Sequence, residues 1–208
     1  MKTDKVYNLI ILDESGSMDS IKRATISGFN EVVQTIQSIE KQYPEQQHFI
    51  SFVTFNGAGI TTHLDKQPIA EMKMLDNKTY NPNSSTPLYD AIGLSVLKLK
   101  YDLASQKEVN VLVTILTDGE ENASHEFHGQ QIKNIIDEQK THGWTFTYIG
   151  ANQDVESNAA SISISNTLHF HASEAGMNEL FTKEKASRQR YSEKLRNKEN
   201  TQEDFYKE

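Results

Sequence analysis

The sequence predicts an α/β protein with a doubly wound, mostly parallel six-stranded sheet and helices on both faces. Apolar runs of strand length alternate with segments whose apolar residues recur every three or four positions. The runs at residues 6–12 and 109–117 consist largely of apolar residues, which indicates strands covered on both faces. A run at residues 60–64 follows a glycine-containing turn, and we expect it to return as one short antiparallel edge strand.

The elements follow each other in a regular alternation. Strands are predicted at residues 6–12, 49–55, 60–64, 109–117, 144–149 and 167–170. Helices are predicted at residues 21–39, 88–103, 132–142 and 154–161. Pro44 ends the first helix and Gly143 closes the third, while residues 65–87 form an irregular loop with three prolines.

Composition narrows the class of protein. A chain of 208 residues suits one domain with a full core. Its formal net charge of −8 disfavours a nucleic-acid partner, which requires a basic face. The absence of cysteine excludes disulfides, thiolate metal sites and thiol catalysis. The first apolar run is too short for a membrane span or a secretory signal, so we expect a cytoplasmic monomer that contacts no membrane.

The last part of the chain differs in composition from the rest. Residues 1–182 are expected to form the domain, and residues 183–208 to form a charged C-terminal helical tail. The tail is rich in side chains of both signs, and Tyr191 and Leu195 give it a thin apolar stripe. This pattern is typical of a solvated helix that frays.

The first strand leads directly into a group of oxygen-bearing side chains. Asp13, Ser15 and Ser17 stand at alternate positions, separated by Glu14 and Gly16. Carboxylate and hydroxyl oxygens suit hard divalent cations. The carboxyl ends of strands are also where open α/β sheets bind their ligands. The sequence therefore predicts a cation site at this turn.

Two further positions complete this group. The strand at residues 109–117 also ends in an aspartate, Asp118, followed by Gly119. If this strand lies beside the first one, the strand order reverses between them, and Asp13 and Asp118 converge across the crevice. Thr86 lies in the long loop before the second helix, where it could also act as an ordinary N-cap with Pro87 at the first helical position.

These residues resemble the metal ion-dependent adhesion site of von Willebrand factor type A domains. The pattern in that family is Asp-x-Ser-x-Ser, then a distant threonine, then an aspartate in a Thr-Asp-Gly turn. Residues 13–17, Thr86 and residues 117–119 match it in order. Residues 85–92 and 148–151 also resemble stand-alone bacterial members of the family, and the likeness extends from about Val6 to about Phe181.

The resemblance implies a metal centre that binds another protein and performs no catalysis. Its ligands would be Asp13, Ser15, Ser17, Thr86 and Asp118, with the aspartates bound directly or through water. The ion would be Mg²⁺, with Mn²⁺ or Ca²⁺ as alternatives, and its open position would take an Asp or Glu carboxylate of a partner protein. An ATPase-containing complex is one candidate assembly. Glu14, Glu120 and Glu121 add negative charge around the rim.

Other chemistries remain as alternatives. A magnesium-dependent phosphatase or hydrolase could use Asp13 as its nucleophile, and a site that binds no metal could serve structure alone. No Gly-x-Ser-x-Gly nucleophile turn surrounds Ser15 or Ser17. The histidine pairs 125/128 and 169/171 lack an evident third ligand, so we interpret them as surface residues.

Overall fold

A six-stranded sheet forms the centre of the computed structural model, whose described residues are 3–106, 108–151, 155–171 and 173–207. The strands are β1 (Asp4–Asp13), β2 (Gln46–Asn56), β3 (Gly59–Pro68), β4 (Val109–Thr117), β5 (Thr145–Gly150) and β6 (Asn166–His169). The helices are α1 (Lys22–Gln42), α2 (Leu88–Leu103), α3 (Gly129–Thr141), α4 (Val155–Ser161) and α5 (Glu174–Asn197). Short 3-10 helices span Gly16–Ile21 and Ile69–Glu71.

The strand order is β3-β2-β1-β4-β5-β6, with β3 antiparallel to β2 and the other neighbouring strands parallel. The predicted fold class, a mostly parallel six-stranded sheet with one antiparallel edge strand, is confirmed. β1 and β4 are neighbours, with Leu12 opposite Leu116. The strand order reverses at this pair, so the loops after β1 and β4 emerge side by side from the same edge of the sheet.

Helices cover both faces of the sheet. Side chains of α2, α3 and α4 pack on one face, and those of α1 and α5 pack on the other. Leu9 and Ile11 of β1 point to the first face, whereas Ile10 and Leu12 point to the second. This alternation explains why the strand is apolar at every one of these positions. No helix within the described ranges is long and apolar enough to cross a bilayer.

Most element boundaries differ from the predicted ones by a few residues, and the largest change in a strand is at β3. β3 spans ten residues and not five, because residues 65–68, expected in a loop, continue to pair with β2 up to Pro68 opposite Phe49. A proline is tolerated there because β3 is an edge strand. The fourth helix was predicted to begin at Asp154, which lies outside the described residues, and α4 begins at Val155.

The prediction of a solvated, fraying tail is wrong. Helix α5 crosses residue 182 without a break, and Arg188 on it is only 2% exposed. Tyr191 and Phe205 pack against Val6 and Leu112 of the sheet. The sequence pattern was misleading because two of its charged side chains, Glu184 and Arg188, are buried against the sheet and pair with each other.

Helix α5 packs closely against α1 where Phe181 meets Gly28. A Cβ atom added to Gly28 would lie 1.6 Å from Phe181 Cε2, so a larger residue at position 28 would displace the phenylalanine. Phe181 is 3% exposed. The contact fixes α5 against the face of the sheet that α1 also covers.

Candidate metal centre

The five predicted ligands lie on three loops at the carboxyl ends of the strands. Asp13 is the last residue of β1, and Ser15 and Ser17 follow it in the turn. Thr86 ends the long loop before α2, and Asp118 directly follows β4. Because β1 and β4 are neighbours, their ends bring the first and third loops together, and the second loop packs against both.

Asp13 is wholly buried and both of its carboxylate oxygens accept hydrogen bonds. Oδ1 accepts the backbone N–H of Ser15 at 2.7 Å, and Oδ2 accepts the hydroxyl of Thr117. The Thr117 oxygen in turn accepts the backbone N–H of Gly119 at 3.0 Å. Thr117 thus joins the first aspartate to the loop of the second, a role that the Thr-Asp-Gly motif contained but that we did not assign from sequence.

The three hydroxyl groups lie around Asp118 and Gly119. Ser17 Oγ donates to Asp118 Oδ1 at 2.7 Å and lies 3.2 Å from Ser15 Oγ. A Cβ atom added to Gly119 would lie 3.1 Å from Thr86 Oγ1 and 3.5 Å from Ser17 Oγ. Glycine at this position therefore leaves room for the two hydroxyls to approach each other. The structure brings all five predicted residues into one cluster.

The electrostatics of the cluster favour a cation. Burial, with a smaller contribution from the nearby Asp118, raises the pKa of Asp13 to about 6 despite the hydrogen bonds from Thr117 and Ser15. Burial also raises the pKa of Asp118. Neither aspartate forms an ion pair with any described residue of the chain. A divalent ion would supply the missing positive charge to these carboxylates.

The donor set also fits a hard divalent cation and not a softer metal that prefers thiolate or imidazole ligands. The cluster consists of carboxylate and hydroxyl oxygens, which Mg²⁺ accepts together with water. Among the described residues no group of three or more His, Cys, Asp or Glu side chains could hold a metal. His169 and His171 face each other edge-on at 5.3 Å between ring centroids, with no third ligand in the part of the chain that the structure describes.

The second loop is tied to the first by four hydrogen bonds that sequence reasoning missed. The buried Tyr80 donates its hydroxyl to the carbonyl of Asp13 at 2.6 Å. The Glu14 side chain accepts the backbone N–H of Asn81 at 2.5 Å, and its carbonyl accepts that of Asn83 at 2.9 Å. The N–H of Gly16 donates to the carbonyl of residue 84 at 2.9 Å. Glu14 is thus a fixed link between two loops, not a free charge on the rim.

The geometry defines an α/β domain with a cluster of carboxylate and hydroxyl oxygens at the ends of its strands. The chain belongs to the von Willebrand factor type A domain family, because the model of that family matches residues 9–189. Comparison with curated protein sequences gave no match.

Solved structures share the fold. Proximal thread matrix protein 1 from the mussel byssus superposes with a TM-score of 0.60 at 16% identity, over 86% of this chain and 45% of that one. The pilus adhesin SpaC of Lactobacillus rhamnosus GG, in an open conformation, gives 0.63 at 13% identity, over 89% of this chain and 30% of that one. This chain spans less than half the length of either protein.

A third structure is described as containing a metal. The manganese-loaded TRAP protein of Plasmodium vivax gives a TM-score of 0.53 at 15% identity, over 86% of this chain and 73% of that one. At these identities the superpositions show the fold alone. The family match and the local geometry are therefore the basis for discussing function.

Proposed function

We propose that the chain is a metal-dependent protein-binding module. Its cation, for which we propose Mg²⁺ with Mn²⁺ or Ca²⁺ as alternatives, would be held by Asp13, Ser15, Ser17, Thr86 and Asp118. The observation that carries the proposal is that three separate loops bring together two carboxylates, unpaired among the described residues, and three hydroxyls. When bound, the ion offers a Lewis-acid position to an anionic oxygen of a partner.

The geometry favours binding over catalysis by Asp13. Both of its oxygens are engaged, by Ser15 and Thr117, and the residue has no exposed surface. A carboxylate nucleophile must itself reach its substrate, which these contacts prevent, whereas a carboxylate at a metal centre can act through a bound water or by orienting a ligand hydroxyl. A magnesium-dependent phosphatase or hydrolase using Asp13 is therefore not favoured.

The proposed partner is a protein that presents an Asp or Glu carboxylate. The net charge of −8 would repel an acidic surface at long range, so the attraction must come from the cation at contact. An ATPase-containing complex remains our candidate assembly, and the same charge disfavours nucleic acid. From the composition we also propose that the protein is a monomer, lies in the cytoplasm and binds no membrane.

Calorimetric titration of Mg²⁺ and Mn²⁺ into metal-free protein tests the metal centre. We expect one site in the wild type and at least tenfold weaker binding in Thr86→Ala, which lacks one hydroxyl. Thr79→Ala removes a hydroxyl from the same long loop, where Thr79 bonds to Asp76, and should bind like the wild type. No heat from the wild type at millimolar metal would leave a site that serves structure alone.

A separate measurement tests whether the centre binds or catalyses. Peptides with a single Asp or Glu should bind in Mg²⁺, lose binding in chelator, and fail to bind Thr86→Ala. Hydrolysis of a phosphoester by the wild type that disappears in Asp13→Ala would contradict the binding proposal. A pull-down with and without chelator, with Thr86→Ala as the matched bait, would then identify the partner.

A further inference from the structure

The loop after β4 caps the helix that follows Thr86. Glu121 Oε2 accepts the backbone N–H of Tyr89 at 2.8 Å, and Ser124 Oγ accepts that of Asp90 at 3.0 Å. Both N–H groups belong to the first turn of α2, where no carbonyl of the helix can reach them. The start of α2 therefore takes its caps from a different loop and not from its own flank.

Thr86 is the residue whose hydroxyl would ordinarily provide this cap. In a Thr-Pro helix start, the threonine side chain accepts the N–H three residues later, which here is that of Tyr89. Glu121 already occupies that N–H. The helix begins at Leu88 with no side-chain hydrogen bond from its N-cap residue, Pro87. The ordinary role that the sequence suggested for Thr86 is thus performed by Glu121.

The backbone of Thr86 is held by the neighbouring Asn122. The Thr86 N–H donates to Asn122 Oδ1 at 2.9 Å, and the Asn122 N–H donates to the Thr86 carbonyl at 3.2 Å. Thr86 is 3% exposed, so these two bonds satisfy groups that water cannot reach. With its backbone fixed and its usual partner taken, the Thr86 hydroxyl remains beside Gly119.

The capping loop is itself anchored. Asp90 is 7% exposed, and its carboxylate accepts three successive backbone N–H groups, those of residues 125, 126 and 127, at 2.8 to 2.9 Å. Glu121 Oε1 accepts two more, from Ala123 and Ser124. The loop that carries Asp118 is therefore fixed to the helix start next to Thr86 by bonds in both directions.

We propose that Glu121 is a positioning residue of the metal centre, which caps α2 in place of Thr86 and so releases the Thr86 hydroxyl for the cation. This inference rests on the proposed function, since it assigns that hydroxyl to the metal. Without an acceptor at position 121, the Tyr89 N–H would attract the Thr86 hydroxyl, and the cation would lose a ligand.

Thermal unfolding of metal-free protein tests the exchange of caps. In the wild-type background, Thr86→Ala should change the melting temperature by no more than about 1 °C, because the hydroxyl caps nothing. In the Glu121→Leu background, Thr86→Ala should lower the melting temperature by about 3 °C, because the loss of an N-cap usually has this effect in a protein of this size. Equal effects of Thr86→Ala in the two backgrounds would overturn the proposal.

Magnesium titration of the same variants tests the consequence for the site. Glu121→Leu should bind Mg²⁺ about tenfold more weakly, with no further loss when combined with Thr86→Ala. Glu121→Gln keeps an acceptor oxygen, and Glu120→Leu removes an adjacent charge without touching the cap, so both should stay within about threefold of the wild type. Additive losses, or an equal loss in Glu120→Leu, would overturn the positioning role.

The two measurements separate this inference from the proposed function. If the wild type binds no Mg²⁺, the proposed function fails, and the role of the released hydroxyl toward a cation fails with it. The metal-free melting temperatures would still decide whether Glu121 displaces the Thr86 hydroxyl from the helix cap. If the wild type binds Mg²⁺ but the effects of Glu121→Leu and Thr86→Ala are simply additive, the metal centre stands and Glu121 has no part in it.

Discussion

Two regions of the chain hold charged groups and differ in whether they contain a counter-charge. At the carboxyl ends of the strands, the buried Asp13 and the half-buried Asp118 have no ion-pair partner among the described residues. On the sheet face shared with α1, Glu184 and Arg188 of α5 are as buried as Asp13, but Arg188 Nε lies 2.7 Å from Glu184 Oε1. An unpaired buried charge is costly, whereas a paired one can be tolerated.

In the second region, side chains of the protein itself supply the hydrogen-bond partners of Glu184 and Arg188. Arg188 Nη2 donates to Thr114 Oγ1 at 2.7 Å, and Nη1 donates to Asn8 Oδ1 at 3.3 Å. The remaining oxygen of Glu184 accepts the hydroxyl of Tyr206 at 2.7 Å. In this region the chain supplies partners for both charged side chains. Unpaired aspartates at the strand ends are what we expect of carboxylates that bind a cation, as proposed above.

Breaking the paired region should have the largest effect on stability. Arg188→Met removes the cation and leaves Glu184 buried without compensation, so we expect the free energy of unfolding to fall by about 3 to 5 kcal/mol. Urea denaturation measures this change. Arg190→Met is the matched control, because Arg190 lies on the same helix, is half-buried and donates to Ser187 Oγ.

The control should lose less than about 1 kcal/mol. The folded fraction of Arg188→Met should still bind Mg²⁺ with wild-type affinity, since the two regions share no contact residue in the bonds described above. Equal losses in the two variants would mean that the buried pair contributes nothing beyond ordinary packing, and the contrast between the regions would then lose its energetic basis.

His48, next to the paired region, sharpens the comparison through pH. Burial, together with the nearby positive charge of Arg188, lowers the pKa of His48 to about 4. The Nδ1 atom lies 3.4 Å from Asn8 Nδ2, and from α1 the Glu40 carboxylate accepts the His48 backbone N–H at 2.8 Å. The folded protein thus disfavours protonation of this ring, while the unfolded chain protonates near pH 6.5.

Because the folded pKa lies below the unfolded one, the stabilising effect is complete above pH 6.5 and is lost as the pH falls toward 4. The loss amounts to about 3 kcal/mol at 1.36 kcal/mol per pKa unit. Urea midpoints between pH 4 and 7.5 should fall more steeply for the wild type than for His48→Gln. His142→Gln, at the exposed end of α3, should keep the wild-type slope. Parallel profiles for all three proteins would contradict the assignment.

Much of the fold and the five candidate ligands could be predicted from the sequence. The strands were visible because a buried strand needs apolar residues at every position, as at Leu9 to Leu12. The convergence of Asp13 and Asp118 was predicted on the condition that β1 and β4 are neighbours, and the structure meets that condition. Four of the candidate ligands follow the ends of these two strands, so the positions of the strands determine theirs, whereas Thr86 lies in the loop before α2.

The connections that hold the site could not be predicted in this way. Glu121 looked like a rim charge, because its partners are backbone N–H groups of Tyr89 in α2 and of its own loop, and a backbone N–H leaves no mark in a sequence. Arg188 looked solvated, since arginine is rarely buried unless paired and its partners Asn8 and Thr114 are far away in the chain. In both cases the determining contact is tertiary and polar, whereas apolar periodicity reports only which face is buried.

The smallest expected effect concerns the unpaired region itself and has the opposite sign. Burial raises the pKa of Asp13 above its ordinary value, so the ionised carboxylate destabilises the folded metal-free protein at neutral pH. Asp13→Asn should therefore raise its free energy of unfolding by about 1 to 2 kcal/mol while abolishing the rise in melting temperature that Mg²⁺ gives the wild type. Asp90→Asn is the control, because that carboxylate accepts three N–H groups and its loss should destabilise. If Asp13→Asn destabilised the metal-free protein as much as Asp90→Asn, the hydrogen bonds of the chain alone would stabilise the Asp13 carboxylate. That result would contradict the proposal that a cation compensates its charge.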